Sequence, residues 1–158
     1  DWNSGWVAFE DDVLRLVNVE RARGGTCSGM NGSTPVNESF PPSGALLNNG
    51  ALRCAARNHS LDMAANSYFA HNNPVTNEGA GGRIDRTGYS WSLVAENIAV
   101  GQSSPEQVVS SWMGSFGHCT NILEPSYVEL GVGFYDAGQP YQGNIPGLFW
   151  TQNFGTPR

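Results

Sequence analysis

Two apolar segments near the end of the chain constrain the fold most strongly. VELGVGFY (128–135) and LFWTQNF (148–154) alternate or run apolar in the manner of β-strands, and the segment between them is rich in Gly and Pro. This pattern predicts a β-hairpin. VAENIAV (94–100) predicts a further strand, which carries one acidic residue, Glu96.

Three helices are predicted from apolar periodicity and from end signals. Apolar residues recur at helical spacing over 9–23, where a Gly-Gly pair ends the pattern, and a second helix is predicted over 48–71. A third helix over 103–113 begins with an N-cap, a proline and a capping-box residue: Ser104, Pro105 and Gln107. With helices early and strands late, the chain fits the α+β class or a layered α-β-α arrangement.

Residues 24–45 interrupt this pattern. The segment is rich in Gly, Pro, Ser and Asn and shows no periodicity, so an unusually long loop is expected there. We find no internal repeat, heptad pattern or linker in the 158 residues. The chain is therefore expected to form one domain over residues 1–158, with a loop insertion at about 24–45.

Charge and composition limit the partners. Eight Lys and Arg residues stand against 14 Asp and Glu residues, for a formal net charge of −6, which disfavours nucleic acid and anionic membrane surfaces. No apolar run approaches the roughly 20 residues of a membrane span. The chain opens at Asp1 without a basic, apolar leader, so we interpret it as a mature, secreted form whose export signal has been removed. We expect a monomer.

The three histidines differ in setting. His59 and His71 both fall in the predicted second helix, where twelve residues put them ~18 Å apart and prevent them from sharing an ion. His59 is expected to be a buried, hydrogen-bonded residue. His71 at the helix end and His118 after the third helix are candidate site residues, because loops held by rigid elements carry functional side chains.

Glu96 is the unusual acid of the sequence. Its apolar neighbours imply a mostly buried strand, and a buried carboxylate must be paired, hydrogen-bonded or protonated. It could be a structural partner of an Arg or a backbone group, a general base, or the acceptor that fixes a histidine tautomer. Three other acids are interpreted as ordinary solvated charges: Glu78, Asp85 and Glu129.

Five motifs in order resemble the CAP superfamily of cysteine-rich secretory proteins, antigen 5 and pathogenesis-related 1 proteins, with the bacterial form the more similar. They are YFAH (68–71), AENIAVG (95–101), SWMGSFGHCTNIL (111–123), ELGVGF (129–134) and FWTQNFG (149–155). The resemblance implies a three-layer α-β-α sandwich with a central, mainly antiparallel sheet. It also implies a secreted location and a cleft in which two histidines and acidic residues hold Zn²⁺.

The resemblance assigns three residues of the cleft. His71 matches the first histidine, His118 matches the second, and Glu96 matches the acid of a Gly-Glu-Asn motif in which this chain has Ala95. Ser115 stands near the position where animal members have a further acid. The cleft is thus one carboxylate short, which weakens a catalytic role more than a metal-binding role.

Three cysteines allow one disulfide and one free thiol. If the resemblance places His71 opposite His118, Cys119 lies beside the cleft. Cys54 precedes His71 by seventeen residues on the predicted helix, or ~25 Å, which is beyond the ~7 Å Cα separation that a disulfide allows. The fold brings the end of the first helix near the start of the second. We therefore expect a Cys27–Cys54 disulfide and a free Cys119 that is buried and inert, with a role as a metal ligand as the alternative.

Two functions from different classes follow from this cleft. The preferred hypothesis is a secreted binding module that holds Zn²⁺ or another divalent cation and recognises an unknown extracellular ligand, such as a lipid, a cell-wall component or a protein. The alternative is a metal-assisted hydrolase in which Zn²⁺ on His71 and His118 lowers the pKa of a bound water and Glu96 accepts its proton. Catalytic zinc usually has three protein ligands, and the sequence offers two. A purely structural scaffold would leave Glu96 without a role.

Overall fold

The computed structural model describes residues 2–31 and 33–158. The helices in these two ranges are α1 (Ser4–Arg23), α2 (Gly50–Ala65), α3 (Ala80–Asp85), α4 (Pro105–Met113) and α5 (Phe116–Leu123). The strands are β1 (Gly25–Asn31), β2 (Thr34–Phe40), β3 (Leu47–Asn48), β4 (Trp91–Val100), β5 (Glu129–Asp136) and β6 (Leu148–Pro157).

Four strands form the central sheet, in the order β3-β5-β6-β4. β6 lies between β5 and β4 and pairs antiparallel with both, whereas the short β3 pairs parallel with β5. The three strands predicted from sequence are present as β4, β5 and β6, and the predicted hairpin is the β5–β6 pair. The sheet is therefore mainly antiparallel.

Helices cover both faces of this sheet. α2 packs on one face against β5 and β6 and contacts α3, while α1, α4 and α5 pack together on the other face. The larger core lies between the sheet and this second layer and includes Val13, Trp112, Ile122, Leu130 and Trp150. The chain thus has the predicted α+β class and three-layer α-β-α architecture.

Two glycines of β5 set the distance between α2 and the sheet. Leu130, Val132 and Phe134 point into the larger core, so Gly131 and Gly133 face α2, because successive side chains of a strand alternate between faces. A Cβ atom on Gly131 would lie 2.0 Å from the backbone nitrogen of Arg53, and one on Gly133 would lie 2.3 Å from the Ala56 carbonyl carbon. The helix therefore rests directly on the strand backbone.

Helix ends and a short helix differ from the sequence prediction. α2 ends at Ala65 rather than at residue 71, because the chain turns at Ser67, which has a φ of 52°, and Tyr68 N–H donates back to Met63 O at 3.0 Å. The segment containing His118 forms α5. α4 begins as predicted, with the Ser104 hydroxyl accepting from Gln107 N–H.

No helix within the described ranges has both the length and the hydropathy needed to cross a bilayer.

The expected loop at 24–45 is wrong over most of its length. Its residues form a β-hairpin in which β1 and β2 pair antiparallel from Gly25 opposite Phe40 to Asn31 opposite Thr34. The hairpin stands apart from the central sheet and contacts α5. Most side chains of β2 are exposed, so the sequence lacks the apolar alternation that would have predicted a strand.

The disulfide prediction is also wrong. Cys27 bonds to Cys119, with Cα atoms 5.6 Å apart, and Cys54 is the free, exposed cysteine among the described residues. The prediction placed residue 27 over the start of α2. The hairpin instead carries Cys27 onto α5, where a Cβ on Gly29 would lie 2.5 Å from Phe116 Cβ.

Buried Arg21 joins α1 to the loops around α5. Its guanidinium donates to the carbonyl oxygens of Gly44, Ile122, Glu124 and Tyr127 at 2.8 to 3.1 Å. Burial lowers its pKa, although the charge of Glu124 opposes that shift. This one side chain satisfies four carbonyl groups and fixes the end of α5.

Substituting the two strand glycines should damage the fold. Gly131→Ala and Gly133→Ala each place a methyl group inside the α2 backbone, and we expect a loss of about 3 kcal/mol or more in the free energy of unfolding, measured by urea denaturation. Gly117→Ala is the control, because its Cβ has open space within α5. That change should be neutral or stabilise by up to about 1 kcal/mol. Equal effects at all three positions would contradict the direct contact.

Removing the disulfide should lower the stability of the fold, whereas removing the Cys54 thiol should not. The Cys27→Ser, Cys119→Ser double variant should lose about 2–5 kcal/mol in urea unfolding, whereas Cys54→Ser should match the parent. Non-reducing peptide mapping of the parent should recover one linked pair, from fragments around residues 27 and 119. A linked fragment containing residue 54 in the freshly purified chain would contradict this assignment.

Candidate functional site

Glu96 is the centre of a buried polar cluster on β4. It lies opposite Asn153 of β6 and is 8% exposed. In the amide orientation that satisfies both of its polar atoms, Asn153 donates to Glu96 Oε2 at 3.1 Å and accepts from Ala56 N–H at 3.1 Å. The predicted burial of this acid is therefore correct, and its partners decide what it can do.

Arg83 of α3 is the cationic partner of Glu96. Its Nη2 lies 3.0 Å from Glu96 Oε1 and 2.8 Å from Oε2. The same guanidinium donates to the backbone oxygens of His71 at 2.8 Å and Glu78 at 3.0 Å. Arg83 is 4% exposed, so a buried ion pair holds the loop that carries His71 against the strand that carries Glu96.

His71 lies in the loop after α2 and contacts the same carboxylate. Its Nδ1 is 2.9 Å from Glu96 Oε1, and its side chain is 54% exposed. A carboxylate oxygen accepts, so Nδ1 carries the proton in the neutral ring and Nε2 keeps a free lone pair. This is the tautomer and the orientation that a metal-ligating histidine requires.

His59 of α2 is a buried neighbour of Glu96. It is fully buried, as predicted, and its Nε2 donates to Ala70 O at 3.1 Å while lying 3.7 Å from Glu96 Oε1. The predicted ~18 Å separation from His71 assumed one continuous helix and is wrong, because α2 ends at Ala65 and the chain folds back. Burial lowers the pKa of His59 to about 4, although the charge of Glu96 opposes the shift.

His118 lies in α5, which contacts the strand that carries Glu96. Its backbone oxygen accepts from Asn97 Nδ2 at 3.2 Å, and Asn97 also bonds Gln152 and Asn121. Burial lowers the pKa of the His118 ring, and the charge of His71 lowers it further. The structure thus brings the two predicted histidines close enough for their charges to interact.

The ligand set for a cation is incomplete. No group of three or more His, Cys, Asp or Glu side chains suited to a metal ion occurs in the parts of the chain that the structure describes. His118 Nδ1 is buried and has no hydrogen-bond partner among the described atoms. The ring of His71 is therefore fixed through its Nδ1, whereas His118 lacks an acceptor for its second ring nitrogen.

The other acids lie outside this cluster. Glu129 accepts from Tyr89 Oη at 2.5 Å and from Asn49 Nδ2 at 3.1 Å, so it is paired rather than solvated. Asp85 accepts from the indole of Trp91, and Glu78 pairs with Arg86. Sequence reasoning missed Arg83. The apolar neighbours of Glu96 indicate that this acid needs a cation, but the sequence does not indicate which arginine supplies it.

The sequence matches a known protein family. The family model for cysteine-rich secretory proteins (CAP) matches residues 14–154. The chain therefore belongs to the CAP family, as the motif resemblance implied.

Two curated proteins of Bacillus subtilis are similar to this chain in sequence. The chain is 34% identical over 150 residues to the uncharacterized protein YkwD of Bacillus subtilis, a match that covers 93% of this chain and 47% of YkwD. It is 26% identical over 153 residues to the uncharacterized membrane protein YlbC of the same organism, covering 97% of this chain and 36% of YlbC. The chain thus spans less than half the length of these curated relatives.

Solved structures share the fold. An extracellular protein containing an SCP domain from Bacillus anthracis superposes with a TM-score of 0.74 and 28% identity, over 94% of this chain and 40% of that one. An outer surface protein of Borrelia burgdorferi superposes with a TM-score of 0.66 and 16% identity, over 100% of this chain and 96% of that one. The second likeness concerns the fold alone.

Burial of neutral His59 should make stability depend on pH. The unfolded ring takes up a proton near the ordinary histidine pKa of 6.5 and the folded ring only near 4, so the unfolded state binds more protons between these values. Stability should therefore be complete above pH 6.5 and fall by about 3 kcal/mol as the pH drops to 4. Urea unfolding at several pH values measures this slope.

His59→Gln is the matched variant for that experiment, because an amide can donate to Ala70 O but does not titrate. The variant should lose most of the slope, keeping the part that the lowered pKa values of His118, Asp62 and Glu124 contribute with the same sign. An unchanged slope in His59→Gln would show that His59 is not the titrating group.

Proposed function

We propose that this chain is a secreted CAP domain whose cleft between His71 and His118 binds a divalent cation, Zn²⁺ by preference, and that it acts as an extracellular binding module. Imidazole nitrogens suit Zn²⁺. The bound ion would supply a Lewis-acidic point of attachment for an anionic or carbonyl group of a ligand. The ligand class remains that expected from sequence: a lipid, a cell-wall component or a protein.

The hydrogen bond from His71 Nδ1 to Glu96 carries this proposal. It fixes the ring so that Nε2 is free, and a carboxylate behind a histidine raises the basicity of the opposite nitrogen. The geometry depends on neither the ion nor a ligand, since Arg83 and Asn153 already hold Glu96 in place. His71 is thus oriented for ligation in advance.

The contacts of Glu96 argue against the hydrolase alternative. A general base needs a free oxygen within reach of a water molecule. Here Oε1 accepts from His71 and Arg83, and Oε2 accepts from Arg83 and Asn153. With four contacts from three donor groups and 8% exposure, the carboxylate is suited to orienting a histidine rather than to removing a proton. Ser115, at the start of α5, supplies no second carboxylate.

Two observations support a location outside the cytoplasm. The Cys27–Cys119 disulfide fits an oxidising compartment, because cytosolic thiols are kept reduced. The Bacillus anthracis structure with the same fold is described as an extracellular protein. Both favour export of the polypeptide to which these residues belong.

Substitutions in the cluster should weaken Zn²⁺ binding to different degrees. His71→Ala and His118→Ala should each reduce the affinity severely in calorimetric titration, because each removes one of two nitrogen ligands. Glu96→Gln should reduce it by about 10- to 100-fold through loss of the orienting carboxylate. Glu38→Gln, which makes the same charge change on exposed β2, is the control and should bind as the parent does.

The Zn²⁺ affinity should also fall as the pH drops, since neutral imidazole is the ligating form and histidine ordinarily takes up its proton near ~6.5. Because the pKa of His118 is lowered, its part of the loss should come at lower pH than for an ordinary histidine. Equal Zn²⁺ affinity in all variants would exclude the two-histidine site. Turnover of a peptide, ester or glycan substrate that disappears in Glu96→Gln with full zinc occupancy would instead favour the hydrolase.

A further inference from the structure

Asn97 is the fully buried neighbour of Glu96 on β4. Side chains of successive residues in a strand point to opposite faces of the sheet. Glu96 accordingly contacts His71, in the loop after α2, through the 2.9 Å hydrogen bond from Nδ1. Asn97 contacts the layer on the other face, where its Nδ2 donates to the backbone oxygen of His118 in α5 at 3.2 Å. Two adjacent residues of one strand thus contact the two histidines of the candidate site.

The orientation of the Asn97 amide follows from its partners. A backbone carbonyl can only accept, so the NH₂ group of Asn97 must face His118 O. The same nitrogen donates to Gln152 Oε1 at 3.1 Å, and Asn97 Oδ1 accepts from Asn121 Nδ2 at 2.9 Å. Asn97 and Gln152 are both fully buried. With three hydrogen bonds and no exposure to solvent, the amide holds the His118 backbone at a fixed distance from β4.

Helices of the second layer also bond to β4 itself, which is an edge strand of the central sheet. Asn121 of α5 donates to the backbone oxygen of Glu96 at 3.5 Å, and the indole of Trp112 in α4 donates to Ile98 O at 3.1 Å. These bonds hold α4 and α5 beside the strand. The bond from Asn97 differs from them, because it is made at His118.

We propose that Asn97 is a positioning residue that sets the separation of His118 from His71 and thereby the affinity of the cleft for Zn²⁺. This inference rests on the proposed function. The disulfide of Cys119 leads to β1, outside the central sheet, so it holds α5 without fixing His118 relative to the strand of Glu96. The hydrogen bond from Asn97 fixes that relation directly. Because Zn²⁺ binds imidazole nitrogen at about 2.0–2.1 Å, a small displacement of α5 weakens ligation by both rings.

Calorimetric titration with Zn²⁺ tests this role. Asn97→Ala should lower the affinity about 10- to 100-fold, the range typical for loss of a group that supports a metal ligand. Asn97→Ser is the milder variant, in which one O–H donor replaces two N–H donors, and it should also bind Zn²⁺ more weakly than the parent. Asn18→Ala is the matched control and should bind as the parent does. The Asn18 amide also bonds backbone groups, Leu46 N–H and O at 2.7 and 3.1 Å, but next to β3 at the other edge of the sheet.

NMR spectra of the metal-free chain separate the position of His118 from metal binding. At about pH 8, where histidine rings are neutral, Asn97→Ala should shift the ring signals of His118 more than those of His71, because the contact between His71 and Glu96 remains. Asn18→Ala should shift neither set. A parent chain that binds no Zn²⁺ would overturn the proposed function and the effect on affinity, whereas these spectra would still decide whether Asn97 positions His118.

Three outcomes would overturn the role of Asn97. Unchanged His118 ring signals and Zn²⁺ affinity in both Asn97 variants would show that the disulfide and the other contacts of α5 are sufficient to place His118. An equal loss of Zn²⁺ affinity in Asn97→Ala and Asn18→Ala would assign the effect to the stability of the fold. Equal shifts of the His71 and His118 ring signals in Asn97→Ala would show that Asn97 supports the sheet as a whole.

Discussion

The close contact between α2 and β5 is the constraint on which the rest of the structure depends. Because Gly131 and Gly133 present no side chain, the helix meets the strand backbone directly, and polar groups of α2 can bond to the sheet. Ser60, for example, donates to Gly133 O at 3.0 Å. The same proximity lets His59 reach from α2 towards Glu96 on β4, 3.7 Å away. A helix held one side-chain layer higher could not contribute to a cluster at this depth.

The polar cluster then depends on one buried charge. Removing a carboxylate from water is costly unless cations and hydrogen-bond donors replace its hydration. The donors to Glu96 lie on a strand, a helix and a loop that come from separate parts of the sequence. Loss of one partner of such a pair typically costs about 3–5 kcal/mol. The cluster is thus both a structural anchor and the support of His71, so the position of this exposed ring depends on the integrity of the fold.

The elements that the sequence predicts correctly are those with a strong local signal. β4, β5 and β6 have apolar runs and α4 has a capped start, and all four were predicted close to their observed positions. The hairpin of β1 and β2 was missed because exposed polar strands carry no alternation, and α5 was missed because its eight residues are too few to establish a period. The false extension of α2 to residue 71 gave the wrong separation of His59 from His71. The Cys27–Cys54 error arose because pairing depends on where the hairpin docks, which only the tertiary fold decides.

The cysteine arrangement also poses a problem of timing during synthesis. Cys54 is 27 residues from Cys27 (54 − 27), whereas the native partner Cys119 is 92 residues away. Loop-closure entropy alone favours the nearer partner by about 1 kcal/mol in an unfolded chain, and Cys54 also emerges from the ribosome first. Correct pairing therefore requires that β1 dock on α5 before Cys27 is oxidised. An oxidant that acts on the nascent chain would trap the shorter loop, and recovery would then depend on disulfide isomerisation.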